Sequence, residues 1–393
     1  MTEAISRRNK YSAFGLEITS DLALPELSTT PNADACADQV SIAASSRQDW
    51  PALKASKHST PTVQMSCGDW RLELEGIGWF RVHAGLSISW QRWDDSVSDR
   101  DLRTFLVGSA LGALMIQRGC LVLQGTAMVK EGQAVLLLGS PASGKSTLAW
   151  CLHQQGWQLL SSELTVIDQQ GMVWPGMQQL KLWHDAAVEL GLEWQQMPLV
   201  RRGLKRYSLL PPDLAVALQP TPLAVIYGLN RRSKEMEKAE KQADKQAEKE
   251  SEKQAGKQTD KDSEKQAEKE ADKKADKEAD EQAEKQANEY AAEICAWKVL
   301  KQQVALLTLR NQAFQPRFYR GMEQEPQLFL NAAELARRVG LHRLQLPDDV
   351  KRLQKALLEV NILDPISLAA KQGQGDSTQE TESKQPELSG EQP

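Results

Sequence analysis

The chain has 393 residues, of which 40% are hydrophobic and 26% charged, and its formal net charge is -5. This length allows two or three domains, and the mild acidity argues against nucleic-acid binding. The 5 cysteines lack CxxC spacing, so we expect reduced thiols rather than a disulfide framework or a zinc site. Because no signal-peptide pattern opens the chain and no apolar stretch is long enough to cross a bilayer, a cytoplasmic protein without a membrane span is expected.

Residues 1–97 are predicted to form a small β-rich domain. The runs VQMSC, WRLELEG, WFRVHAG and LSISWQR alternate polar and apolar residues between turn residues, which is typical of strands. The tryptophans of this region are interpreted as packing residues rather than as a ligand-binding cage. They are Trp50, Trp70, Trp79, Trp90 and Trp93.

Residues 98–232 are predicted to form the first part of an α/β core. Apolar residues at helical spacing predict a helix over 99–118, and LVLQGTAMV and AVLLLG predict a buried hairpin. A helix over 145–153 that Gly156 ends, a strand-turn-strand-helix pattern in VWPGMQQLKLWHDAAVELGL and a buried strand in PLAVIYGL follow. These elements predict a mixed sheet rather than a regular βαβ series.

Residues 233–290 repeat tetrads of the form A-[ED]-K-[QE], all helix-favouring residue types. A four-residue period winds the alanines around the helix, so a solvated helix or a disordered tether is favoured over a partner-binding element. The position predicts an insertion in a surface loop. Residues 291–370 are predicted to be the C-terminal helical part of the core, with helices in KQQVALLTLRNQ, NAAELARRVGL and DDVKRLQKALLEV and a short strand in HRLQLP. Residues 371–393 are predicted to be a disordered tail.

A phosphate-binding motif lies between the buried hairpin and the helix over 145–153. GSPASGKST fits G-x-x-x-x-G-K-[ST], and a chance Gly/Ser turn is the alternative. The glycines let the backbone wrap a phosphate, Lys145 can reach the β and γ oxygens, and Ser146 can bind Mg²⁺. The predicted nucleotide-binding residues are Gly139, Ser140, Pro141, Ala142, Ser143, Gly144, Lys145, Ser146 and Thr147.

The segment around this motif, QRGCLVLQGTAMVKEGQAVLLLGSPASGKSTLAWCLHQQGWQLLSSELTVID, resembles the catalytic core of the HPr serine kinase/phosphorylase superfamily and its HprK-related kinases. YSAFGLEITSDLALPEL is similar to their opening, and LKLWHDAAVELGL, RRGLKRYSLL and PTPLAVIYGL are similar to their later core. The resemblance implies a mixed-sheet P-loop kinase core related to phosphoenolpyruvate carboxykinase. It also implies ATP and Mg²⁺ as cofactors, a protein or peptide hydroxyl as acceptor, and self-association into a homo-oligomer.

Two positions depart from the family pattern. The Asp that the family uses as proton acceptor corresponds to Ser162, whose hydroxyl is not basic near neutral pH, and the family's hairpin His corresponds to Gln124. Glu163 is retained, and the resemblance gives it a catalytic role beside Lys145 and a share in Mg²⁺ binding with Ser146. The hypotheses are therefore an active serine kinase, a catalytically weak or inactive ATP-binding regulatory module, or another P-loop function.

A basic cluster and a few polar residues have open interpretations. The cluster consists of Arg201, Arg202, Lys205 and Arg206. It is either solvated or, through Lys205 or Arg206, in contact with the transferring phosphate or an acidic stretch of the substrate. Asp185 is either a helix N-terminal residue or a functional group, and His153 and His184 are interpreted as structural or exposed.

Overall fold

The computed structural model describes residues 9–29, 38–201, 203–230, 295–347, 349–359 and 362–363. The repeat predicted over 233–290 and the tail predicted over 371–393 lie outside the described residues. Within the described ranges the protein is mixed α/β, and its sheets contain both parallel and antiparallel strand pairs. The predicted α/β class with a mixed sheet is therefore confirmed. None of the described helices has the length and apolar character that a membrane crossing needs.

The amino-terminal part of the described chain forms a seven-stranded mixed sheet. Its strands are β1 Asn9–Ala13, β2 Leu16–Ser20, β3 Asp38–Ala44, β4 Val63–Ser66, β5 Asp69–Leu74, β6 Gly78–His83 and β7 Ser87–Arg92, in the order β1-β2-β3-β7-β6-β5-β4. β4 to β7 form an antiparallel meander where alternation predicted strands, whereas β3 pairs in parallel with both β2 and β7. Trp70 and Trp90 are buried and Trp79 stacks on Trp93, which confirms their packing role.

A buried helical segment connects this sheet to the rest of the fold. It consists of α1 Asp99–Phe105, a π-helical turn Leu106–Ala110, and α2 Leu111–Gln117. The side chain of Ser98 caps α1 by accepting a hydrogen bond from the amide of Asp101. The helix predicted over 99–118 is thus present, with one wider turn in its middle.

The second sheet carries the phosphate-binding loop and contains nine of the described strands. They are β8 Leu121–Leu123, β9 Gly125–Lys130, β10 Gln133–Leu138, β11 Gln158–Ser161, β12 Thr165–Ile167, β13 Met172–Val173, β16 Thr221–Asn230, β17 Cys295–Val299 and β18 Leu341–Gln345. A separate ribbon pairs β14 Leu180–Trp183 with β15 Arg206–Leu209. β9 and β10 form the predicted hairpin, but the run LVLQGTAMV is divided at Gln124, so β8 pairs with β12 instead.

Six further α-helices follow in the described chain. They are α3 Lys145–His153, α4 His184–Glu189, α5 Gln302–Asn311, α6 Pro316–Gly321, α7 Glu325–Arg338 and α8 Val350–Glu359, with 3₁₀ turns at Arg47–Asp49 and Trp194–Gln196. α3, α5, α7 and α8 lie where helical spacing predicted helices, and β18 is the short strand predicted in HRLQLP. β17 and α6 were not predicted.

The strand before residues 231–294 ends, and the strand after them begins, at the same level of the second sheet. β18 lies between β16 and β17, and both Asn230 of β16 and Cys295 of β17 are in register with Gln345 of β18. β16 also runs parallel to β10, with Gly228 beside Leu138. The chain therefore leaves and rejoins the sheet at the end from which the phosphate-binding loop emerges.

Alternate residues of β10 enter two different hydrophobic cores, as the two-residue period of a strand requires. Leu136 and Leu138 join a cluster that continues through α1 and α2 into the amino-terminal sheet. Val135 and Leu137 join a cluster on the opposite face, formed with α3, α8 and β14. β10 is thereby packed on both faces, and the phosphate-binding loop begins where this strand ends.

Candidate functional site

The phosphate-binding loop joins β10 to α3, as the sequence motif predicts. Gly144, directly before α3, has a φ of 92°, a left-handed conformation that favours glycine. At Gly139 a Cβ would lie 2.5 Å from Ser143 Oγ and 3.1 Å from the carbonyl oxygen of Leu229. Both glycines are therefore required by the backbone path, and the loop ends at the amino terminus of α3, where the helix amides favour an anion.

Lys145 lies back on its own loop. Its Nζ donates to the carbonyl oxygens of Gly139, at 2.6 Å, and Ser140, at 2.9 Å. Burial and, to a smaller extent, the nearby charge of Arg206 lower the pKa of Lys145 to about 8, and the charge of Glu163 opposes the shift. The ammonium group thus occupies a position of poor solvation that an anion would relieve.

Glu163 is held between two cations. Its Oε2 accepts from Lys181 Nζ at 2.5 Å, and its Oε1 lies 3.1 Å from a guanidinium nitrogen of Arg206. Burial alone would raise the pKa of Glu163, but the charges and hydrogen bonds of Lys181 and Arg206 outweigh it, so the pKa lies below the ordinary value. The carboxylate is ionised at neutral pH and is a weak base, which favours a role in binding cations over a role in accepting protons.

The two serines before Glu163 are buried and do not line the cleft. Ser161 is fully buried and its hydroxyl donates to the carbonyl oxygen of Leu164, and Ser162 is only 2% exposed. The amide of Ser162 donates to the carbonyl oxygen of Met177. Both residues pack the strand end, and neither lines the cleft that the other site residues share.

That cleft has a volume of about 570 Å³ and contains the central part of the loop together with the charged cluster. Beside the loop residues 141–147 it is lined by polar and charged groups: Gln124, Thr126, Glu163, Lys181, Asp185, Glu189 and Arg206. An apolar wall is formed by Leu346, Pro347, Val350 and Leu353, which follow β18 or belong to α8. The cleft therefore has a polar side next to the loop and an apolar side, and these are the two kinds of surface that a nucleotide contacts.

The predicted basic cluster does not act as one group. Arg206 begins β15, lines the cleft, and stacks its guanidinium 5.5 Å from the ring centroid of Trp183. Lys205 is exposed and Arg201 is partly buried, and neither lines the cleft, while Arg202 lies outside the described residues. Only Arg206 of the described cluster is therefore in contact with the site.

The other polar candidates have identifiable surroundings. Gln124 is exposed at the junction of β8 and β9 and lines the cleft. Asp185 lies in the first turn of α4 and also lines it. His153 is within 3.3 Å of the carbonyl oxygen of Trp157, and the ring of His184 packs edge-on against Trp194. Neither histidine lines the cleft.

Lys181 is a site residue that the sequence reasoning missed. It lies in the middle of β14, its side chain is only 5% exposed, and its amine contacts Glu163. The available signal was a lysine inside the otherwise apolar run LKLW, since a buried lysine needs a carboxylate partner. Its partner, eighteen positions earlier in the chain, is not evident from the pattern.

The residues of the cleft fit a magnesium nucleotide. Ser146 and Glu163, the predicted metal ligands, both line it. The described residues contain no group of three or more acidic, histidine or cysteine side chains arranged around a metal. Magnesium is commonly bound through only one or two protein ligands together with phosphate oxygens and water. The hydroxyl of Ser146 and the carboxylate of Glu163 are suitable ligands of this type.

Comparison with known proteins does not assign the chain. No family model matches it, and no curated protein is significantly similar to it. The function is therefore inferred from the cleft itself.

Proposed function

We propose that this protein is an ATP-dependent serine kinase of the HprK-related type, with a mixed-sheet P-loop kinase core. The observation that carries the proposal is the convergence of Lys145, Lys181, Arg206 and Glu163 on the cleft that also contains the phosphate-binding loop. These three cations line the cleft together with the carboxylates Glu163, Asp185 and Glu189, and cationic side chains beside a phosphate-binding loop stabilise the charge of a transferring phosphate. The resemblance of the sequence to HprK-related kinases supports the same reaction.

Each charged residue has a distinct role in this proposal. The loop amides and the amino terminus of α3 bind the phosphates, and Lys145 exchanges the carbonyls of Gly139 and Ser140 for phosphate oxygens. Arg206 orients the terminal phosphate. Ser146 and Glu163 would hold Mg²⁺, which supplies charge neutralisation at the transferring phosphoryl group.

The acceptor in this proposal is a hydroxyl of a protein or peptide. Phosphoryl transfer depends mainly on positioning and on stabilisation of charge, so the weak basicity of Glu163 and the burial of Ser162 slow the reaction without preventing it. We further infer a cytoplasmic homo-oligomer. Burial raises the pKa of the Cys120 thiol to about 11 and that of Cys151 to about 12, which keeps both thiols protonated and unreactive.

A second candidate is an ATP-binding regulatory module without significant turnover. It is favoured by one observation, namely that the carboxylate nearest the loop is already paired with two cations. The two candidates differ in turnover, because a kinase releases ADP in step with acceptor phosphorylation whereas the module binds ATP without consuming it.

The deciding experiment follows γ-labelled ATP onto proteins of the source-cell lysate, with purified wild-type protein and Mg²⁺. The comparison is with Lys145→Ala and with the matched control Lys54→Ala, since Lys54 is exposed in the amino-terminal part and distant in sequence from the loop. We expect label transfer by the wild type and by Lys54→Ala and its loss in Lys145→Ala. Tight ATP binding without any transfer would favour the regulatory module, and absence of binding would refute both.

A further inference from the structure

A second carboxylate, that of Glu26, lines a small cavity to which Lys181 also contributes. Glu26 follows β2 and is only 9% exposed. Its Oε1 accepts from Arg103 Nε at 3.1 Å, but its Oε2 is buried and has no hydrogen-bond partner among the described residues. Its backbone carbonyl accepts from the amide of Gln178, three residues before Lys181. Glu26 therefore joins the amino-terminal part of the chain to the segment that leads into β14.

Glu26 and Lys181 line the same small cavity. This cavity has a volume of about 50 Å³, and its wall also includes Arg103, Gln179 and Ser208. Lys181 contributes to the walls of both this cavity and the cleft, while its amine contacts Glu163. Lys181 thus pairs with one carboxylate, Glu163, and shares a cavity wall with a second, Glu26, from a different part of the chain.

The charge balance differs between the two carboxylates. Glu163 has a second cation, Arg206, and a position in the cleft where a metal would compete for its oxygens. Glu26 has one oxygen satisfied by Arg103 and one that is not satisfied. A buried ammonium that loses its carboxylate is strongly destabilising, and so is a buried carboxylate oxygen without a donor. If Glu163 is withdrawn from Lys181, pairing Lys181 with Glu26 removes both penalties at once.

We propose that Lys181 is a positioning residue that serves Glu163 and Glu26 in turn. It holds Glu163 in the nucleotide-free protein, and its amine moves to the free oxygen of Glu26 when Glu163 is withdrawn. That a magnesium nucleotide causes this withdrawal rests on the proposed function, whereas the sharing of Lys181 by two carboxylates does not. In the bound state the amino-terminal part of the chain is then tied more tightly to β14.

The sharing is tested without nucleotide by thermal unfolding of full-length Glu26→Gln, Glu163→Gln and the double variant. Each single variant leaves Lys181 one carboxylate, whereas the double variant leaves none. We therefore expect the double variant to lose several degrees more in Tm than the sum of the single losses. In a Lys181→Met background this excess should vanish. Glu163→Gln combined with Glu334→Gln, on the distant exposed surface of α7, is the additive control.

Additive losses, or an excess that persists in the Lys181→Met background, would overturn the proposal. If the double variant does not fold, hydrogen exchange of the wild type and of Glu26→Gln tests whether Lys181 moves to Glu26. The Gln178 amide, which bonds to Glu26, is expected to become more protected when Mg-ATP is added to the wild type but not to Glu26→Gln. Equal protection in both proteins would refute the transfer of Lys181. An absence of ATP binding to the wild type would instead refute the proposed function, and the unfolding experiment would still decide whether Lys181 is shared.

Discussion

Raising the pH from 7 to 9 is expected to weaken ATP binding about tenfold through a single group, Lys145. The pKa of this lysine is lowered to about 8, first by burial and then by the charge of Arg206. In the free protein about 90% of the Lys145 side chains are then protonated at pH 7 and about 10% at pH 9. Because the phosphates require the charged form, the apparent Kd rises as the protonated fraction falls.

Isothermal titration calorimetry at a series of pH values measures this dependence directly. Lys145→Arg is the matched control, since a guanidinium stays charged throughout the range and any titration of the ligand affects both proteins equally. The difference between the two profiles should reach about tenfold at pH 9. A wild-type affinity that stays constant from pH 7 to 9, or profiles of the same slope, would refute the lowered pKa of Lys145.

The same shift has the opposite consequence for the stability of the nucleotide-free protein. The folded-state pKa of about 8 lies below the ordinary lysine value of 10.5. Between these two values the unfolded chain binds more protons than the folded chain, so the contribution of Lys145 to the free energy of unfolding increases with pH. Lys145→Arg should lack this contribution.

Three further changes test the fold around the site. Ser162→Asp should lower the free energy of unfolding by about 1–3 kcal/mol in urea without raising phosphate transfer, because the side chain is buried; a large gain in transfer would contradict this. Gly176→Ala should lower the free energy of unfolding by about 1–3 kcal/mol, because the new Cβ would lie 2.1 Å from Ser161 Oγ. In the control Gly108→Ala the new Cβ meets no atom within 4 Å, so the free energy of unfolding should stay the same or rise. Replacing residues 231–294 by a short flexible linker should preserve Tm and ATP affinity, because Asn230 and Cys295 lie on either side of Gln345, about 10 Å apart. A protein that no longer folds would contradict the interpretation of this segment as an insertion in a surface loop.

The local elements could be predicted because their signals are local. Alternation in WRLELEG and LSISWQR gives β5 and β7, and the phosphate-binding motif gives the turn into α3, which Gly156 ends with a φ of 83°. The burial of β10 on both faces also follows from the sequence, since both of its faces are apolar. In each case neighbouring residues contain the information.

The charged cluster could not be predicted, because its members meet only through tertiary structure. Lys181 and Arg206 come from the paired strands β14 and β15, and Glu163 from the end of β11 and the turn that follows it. Resemblance identified Glu163, and a charge pattern identified Arg206, but neither indicated that the two form an ion pair. The burial of Ser162 likewise depends on Met177 and the segment around it, which no local pattern reveals.

The position of β18 has a consequence for synthesis of the chain. β18 pairs with β16 on the side opposite β10, yet the two are separated by more than one hundred positions of sequence. While the ribosome makes the intervening residues, the edge of β16 remains unpaired next to an apolar surface. The highly charged composition of residues 233–290 means that much of what emerges in this interval is hydrophilic. The delay in closing the sheet therefore coincides with the most soluble part of the nascent chain, which limits aggregation before Leu341–Gln345 arrives to complete the sheet.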